Sequence, residues 1–261
     1  MPAPRPAPKA DRSAGTVLDP KPGGIAERLG TRWPERSPVL VGSAIALLGL
    51  VVLTGVIVGI GLLLTKVFAG GSLESWDIRV NEWFVSRRTP TLNTVTRFGS
   101  DLGATFTIIA IAVLVTVVLG IKRFWREVEL IVVALTIEVS VFLLATLVVD
   151  RARPDVPRLD VSPPTSSYPS GHTAAAIALY VGLAIVVSSL TGNRFARVLA
   201  WTLALLLPIA VGLSRLYRGM HHPTDVLASV VLGAGALTIA LLAARTSRAM
   251  IQNRPPDQVP R

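Results

Sequence analysis

The three histidines of the 261-residue chain fall in two short segments. One is Tyr-Pro-Ser-Gly-His-Thr at 168–173, holding His172. The other is Ser-Arg-Leu-Tyr-Arg-Gly-Met-His-His-Pro-Thr-Asp at 214–225, holding His221 and His222. Each segment lies at the mouth of a long apolar run. Imidazole trades protons near neutral pH, with an unperturbed pKa of about 6.5. Histidines placed only at helix mouths, each beside an arginine or a helix start, suit the handling of an anion at a membrane surface.

The local chemistry of each segment supports that reading and leaves a plainer one open. Ser170 is a good helix N-cap, and Gly171 lets the backbone come close to a ligand. The free amides and positive dipole end of the helix that follows form a ready anion site, although an ordinary helix start would use the same residues. In the second segment Pro223 suits the first helical position. His221 and Asp225 are four apart and meet if the turn is helical. A carboxylate on one ring nitrogen would fix the tautomer and free the other nitrogen to attack, yet Asp225 equally suits a helix start as an acid favouring the dipole. A third segment, Asp-Arg-Ala-Arg-Pro at 150–154, offers Arg151 and Arg153 as forked phosphate donors or as interfacial snorkellers.

The elements that must position these groups are membrane helices. Hydrophobic residues make up 51% and charged residues 16% of the chain, and the mean hydropathy is +0.58, outside the range of a soluble domain. Six apolar runs of spanning length are expected at about 39–67, 104–121, 128–149, 173–190, 195–213 and 226–244. The fold class is therefore all-α, an integral membrane bundle of six transmembrane helices. Trp76, Val80, Trp83 and Phe84 share one helical face and predict a short interfacial helix between the first two spans. Residues 1–38 read as a disordered basic cytoplasmic tail, 39–244 as the membrane domain and 245–261 as a short cytoplasmic tail. The first run reads as a retained anchor.

With the amino terminus inside, sixteen of the 26 Lys and Arg residues fall on the cytoplasmic side and ten outside. That puts both termini in the cytoplasm and both histidine segments on the extracytoplasmic face. The same distribution explains the net charge of +10 without nucleic acid. The absence of cysteine excludes disulfides and thiolate metal sites. Gly55-x-x-x-Gly59 could allow close helix approach, Pro208 is expected to kink the fifth span, and Glu138 near the middle of the third is costly in hydrocarbon.

Taken together, Arg153-Pro154, Pro-Ser-Gly-His at 169–172 and Ser-Arg-x5-His-x3-Asp at 214–225 resemble the three-part signature of the type 2 phosphatidic acid phosphatase superfamily. That superfamily contains membrane lipid phosphatases, soluble acid phosphatases and vanadium haloperoxidases. The resemblance spans about 80 residues, and six spans fit the membrane branch. It implies that His221 is a nucleophile forming a phosphohistidine, that Asp225 orients its ring, and that His172 protonates the leaving oxygen and then activates water. Arg153, Ser170, the Gly171 amide and Arg215 would hold the phosphoryl oxygens, with no metal or other cofactor. The expected partners are a lipid monophosphate or diphosphate (polyprenyl diphosphate, phosphatidic acid or phosphatidylglycerol phosphate) and membrane lipids, with no obligate protein partner inferred. A lipid phosphotransferase, or a non-catalytic binder of lipid phosphates, would carry the same motifs.

One departure stands out. The superfamily's first motif begins with a lysine seven residues before the arginine of Arg-Pro, and here that position is Thr146. Arg151 or Arg218 are candidates to replace the lost charge, with Glu138 part of an altered network.

Overall fold

The apolar runs fold as helices, and the described residues contain no strand. The computed structural model describes residues 16–161 and 164–253. The helices in order are α1 (Ile25–Arg32), α2 (Pro38–Leu62), α3 (Ser72–Val85), α4 (Pro90–Asp101) and α5 (Thr105–Ile121). They continue with α6 (Trp125–Val148), α7 (Gly171–Leu190), α8 (Arg194–Tyr217) and α9 (Pro223–Gln252). The first span, α2, ends in a π-helical turn at Leu63–Val67. Five helices are long and apolar enough to cross a membrane: α2 with its π turn, α6, α7, α8 and α9. The remaining expected span is α5, whose 17 residues sit at the lower limit for crossing. It follows α4 across a 44° bend, and the pair counted together makes a sixth, broken span.

At the centre, α7 packs against α5, α6, α8 and α9. Its inward positions are small, with Ala174, Ala176 and Ala178 fully buried. In lipid the association of helices depends on close packing rather than on escape from water, and small residues permit it. On its far side α9 meets α2. A Cβ added to Gly49 of α2 would lie 2.5 Å from Cγ2 of Ile239 on α9, whereas one on Gly55 or Gly59 would meet nothing within 4 Å. The close approach therefore uses Gly49, and the Gly-x-x-x-Gly pair expected from the sequence makes no packing contact among the described residues. Large apolar side chains such as Leu47, Phe106 and Leu147 stay exposed on the outside, as a lipid-facing surface requires. Pro208 is buried within α8, which continues through it.

Three sequence expectations change in detail. Residues 1–15 of the expected tail lie outside the described residues, but 16–38 are not structureless, since α1 packs on α9 and Leu18 is buried. The cause is local. Asp19 accepts from the Thr16 amide at 2.7 Å and its hydroxyl at 3.0 Å, and it pairs with Arg126 at 2.8 Å and Arg248 at 2.9 Å. It thus fastens the arm to the ends of α6 and α9. At the other end, α9 runs to Gln252, past the expected boundary at 244, and 254–261 lie outside the described residues. Finally, the stretch after α2 forms two helices rather than one. Trp76 and Trp83 are exposed on α3, while its buried residues are the polar pair Asp77 and Asn81.

The Asp19 clamp has a definite pH dependence. Burial opposes it, but the Thr16 hydrogen bonds and then Arg126 hold the Asp19 carboxyl down at about 2, against roughly 3.9 for a free aspartate. Its stabilisation is full above the unfolded value and disappears as pH falls through about 2. Asp19→Asn is expected to lower the thermal stability of the detergent-solubilised protein by about 1 kcal/mol at neutral pH. The gap from wild type should shrink in high salt and close near pH 2.

Candidate active site

The three motif segments meet at one end of the bundle. Gly219 in the turn after α8 has φ +71°, and a Cβ there would lie 2.9 Å from Val156, so only glycine lets this turn close against the 149–170 connection. The turn delivers His221 inward, where it is buried. Its Nδ1 lies 2.7 Å from the Ser167 carbonyl oxygen. A carbonyl can only accept, so Nδ1 carries the hydrogen and Nε2 is the free nitrogen. Ser167 is itself fixed, because its amide donates to the Arg151 carbonyl at 2.9 Å and its hydroxyl to the Ala152 carbonyl at 3.0 Å.

Asp225 does not hold the ring as the resemblance implied. Its nearer oxygen is 3.9 Å from His221 Nδ1, beyond hydrogen-bond reach. Instead it accepts from the His222 amide at 2.8 Å, an N-terminal cap of α9, and forms an ion pair with Arg151. Arg151 also pairs with Asp77 at 2.7 Å. Asp77 is fully buried and takes the Thr224 amide at 3.0 Å and the Thr224 hydroxyl at 2.6 Å. This network fixes the backbone that presents His221.

His172 is the second residue of α7, after the Ser170 cap and Gly171, and the peptide bond before Pro169 is cis. A Cβ on Gly171 would fall 2.9 Å from the Phe142 ring, which explains why glycine stands where α6 crowds the helix start. Ser170 is at the N-cap without a side-chain cap bond. Its buried hydroxyl pairs with Thr173 at 3.0 Å, and its side chain is absent from the lining of the cavity described next. Gly171 and His172 do line it.

That cavity, about 620 Å³, is walled by α5, α6 and α7. At one end stand Arg153, Gly171, His172, Arg215 and His221, while residues such as Ile109, Val113 and Val139 line the rest. Arg153 donates to the Met220 carbonyl at 2.8 Å, and Arg215 donates to Ser100 at 2.7 Å and Asp160 at 3.2 Å. The Nε of each arginine is buried without an acceptor among the described residues, an unmet demand of the kind an oxyanion satisfies. Burial first, then the charges of Arg215 and Arg153, push the His221 imidazole well below its ordinary range, and the Ser167 bond opposes this only in part. A neutral imidazole nitrogen with its lone pair free therefore faces a positive site at neutral pH. The described residues contain no cluster of three side chains able to hold a metal ion.

Neither proposed substitute for the missing lysine is available. Arg151 is bound between Asp77 and Asp225. Arg218 donates through Nε to Asp160 at 2.7 Å and also holds the Asn93 carbonyl. Thr146 does line the cavity, but its hydroxyl donates back to the Leu143 carbonyl at 2.8 Å. Sequence reasoning missed Ser167, Asp77 and Asp160. Ser167 acts through its carbonyl, which every residue has. Asp77 and Asn81 carried a faint signal as a polar i,i+4 pair flanking the aromatic stripe of α3. Asp77→Ala and Arg151→Ala are each expected to destabilise the detergent-solubilised protein by about 3 kcal/mol, since each strands a buried charge. The double variant should lose less than the sum in thermal unfolding.

Comparison with known proteins bears on the family to which the chain belongs. The PAP2 superfamily pattern matches residues 106–249. Phosphatidylglycerophosphatase B of Bacillus subtilis (strain 168) is 28% identical over 174 residues, 66% of this chain and 85% of the relative. An undecaprenyl-diphosphatase of Sulfolobus acidocaldarius is 37% identical over 75 residues, 29% of this chain and 32% of the relative. The crystal structure of a transmembrane PAP2 type phosphatidylglycerolphosphate phosphatase from Bacillus subtilis superposes with a TM-score of 0.62 at 23% identity, covering 78% of this chain and 94% of that one. That last likeness establishes a shared fold. With the superfamily pattern covering more than half of the sequence, the chain belongs to the PAP2 superfamily.

Proposed function

We propose that this multi-pass membrane enzyme, a lipid phosphatase, releases phosphate from a lipid phosphate at the extracytoplasmic leaflet through a phosphohistidine on His221. The observation that carries the reading is the single cavity with two ends. Its polar end offers two histidines, two arginines and a helix start, and its long wall is hydrocarbon. A lipid phosphate has the same two halves.

In this mechanism the phosphoryl group rests against the α7 amides and the Arg153 and Arg215 guanidinium groups. The Nε2 lone pair of His221 forms a bond to phosphorus as the bond from phosphorus to the lipid oxygen breaks. His172, taking up a proton in the field of the bound phosphate, gives that proton to the oxygen. It then takes a proton from water as the water attacks phosphorus, which frees inorganic phosphate and restores His221. Positioning and charge stabilisation supply most of the rate in phosphoryl transfer. Ser167 fixes the tautomer of the nucleophile, and Asp225 acts through the loop rather than on the ring. The distribution of Lys and Arg supports both termini in the cytoplasm and the site outside. The substrate candidates are phosphatidylglycerol phosphate, phosphatidic acid and polyprenyl diphosphate, with phosphotransfer to an acceptor lipid as the neighbouring chemistry of the same site.

His221→Ala should abolish phosphate release by the detergent-purified protein in EDTA, together with acid-labile labelling from a radioactive lipid phosphate. Full activity or unchanged labelling in that variant ends the reading. Because burial, Arg215 and Arg153 favour the neutral ring of His221, kcat/KM should fall on the acid side only below about pH 6.5, the ordinary histidine value. Arg215→Gln should move that limb upward. Thr146→Lys, which adds a cation to the cavity wall, is expected to lower KM for a lipid monophosphate about tenfold, read from initial rates.

A further inference from the structure

Glu138 is buried, at 4% exposure, on α6, and it lines the same cavity as the two histidines. It forms no hydrogen bond or ion pair with another described residue. A carboxyl group in an apolar wall is costly unless something hydrogen-bonds to it. The phosphate mechanism leaves it unused, so the depth at which it stands becomes informative.

That depth follows from α6 itself. Phe142 is level with the start of α7, because its ring would touch a Cβ on Gly171. Glu138 is four residues earlier on the same stripe, which places it about 6 Å nearer the membrane centre. In a diacylglycerol phosphate the ester carbonyl carbon lies five bonds from phosphorus. At roughly 1.2 Å of advance per bond this is about 6 Å. A polyprenyl diphosphate presents something else over that interval: an inner phosphate, which is an anion turned toward a carboxyl group, and then bare hydrocarbon.

We propose that Glu138 hydrogen-bonds the ester-linked glycerol of a diacylglycerol phosphate and so selects such lipids over polyprenyl phosphates. The inference rests on the phosphatase reading of the cavity and deepens it to a substrate class. A carboxyl group donates to an ester carbonyl when protonated, and the amide of glutamine can make the same donation. Leucine keeps the volume and removes the bond. A site built to hydrogen-bond a substrate group rejects the analogue lacking it, because its own polar group is left unpaired.

The test compares wild type, Glu138→Gln and Glu138→Leu, all as detergent-purified full-length chains whose thermal unfolding is recorded. The substrates are dioleoyl phosphatidic acid, its dialkyl ether analogue without carbonyls, and a polyprenyl diphosphate. Wild type should favour the diacyl lipid over the ether analogue about tenfold in kcat/KM. Glu138→Leu should erase that preference by losing rate on the diacyl lipid alone, and Glu138→Gln should keep it. A parallel loss on all three lipids, or an unchanged preference in the leucine variant, would overturn the proposal while leaving the phosphatase reading intact. Absence of phosphate release from every lipid by wild type would overturn that reading and the inference with it.

Discussion

Arg151 stands between two fully buried carboxylates, Asp77 and Asp225, and most of the site geometry depends on that arrangement. The guanidinium belongs to the segment leaving α6, Asp225 to the start of α9, and Asp77 to α3. The Arg151 carbonyl also receives the Ser167 amide. One residue therefore joins all three motif segments to the flanking helix. Buried charges are tolerable when each is paired and its remaining hydrogen-bonding capacity is filled. Thr224 and the His222 amide fill it here.

The arginines divide into two groups by what meets them. Arg151 and Arg218 end on carboxylates and serve architecture. Arg153 and Arg215 end mainly on neutral carbonyl and hydroxyl oxygens, and each keeps one buried nitrogen without an acceptor among the described residues. Asp160 spans both groups, since it bonds Arg218 closely and reaches Arg215 at 3.2 Å. Although burial raises it, the bond and charge of Arg218 and then the charge of Arg215 hold its carboxyl below the usual range. The site consequently retains net positive character where a phosphate would sit, and burial together with that field keeps the His221 imidazole neutral.

The membrane sets the other constraint. Small residues on α7 draw its neighbours close, and the α5–α6 side is left open enough to form a cavity with a hydrocarbon wall. Buried charged groups gather at the ends of the bundle, where water and helix termini can meet them. Glu138 is the exception, standing below that layer on the cavity wall.

Hydropathy alone located the long apolar helices, because a bilayer imposes spanning length directly on sequence. The motif spacing likewise marked His172, His221, Arg153 and Arg215, all of which line one cavity. The roles of Ser167, Ser170 and Asp225 were decided by tertiary structure. Whether a carbonyl, a hydroxyl or a carboxylate lies 2.7 or 3.9 Å from a ring nitrogen depends on how separate helices seat the loops between them. Residue spacing along one helix does not carry that information. The same holds for the folded arm at Asp19 and the inward polar face of α3, where ion pairs between distant segments override what local composition suggests.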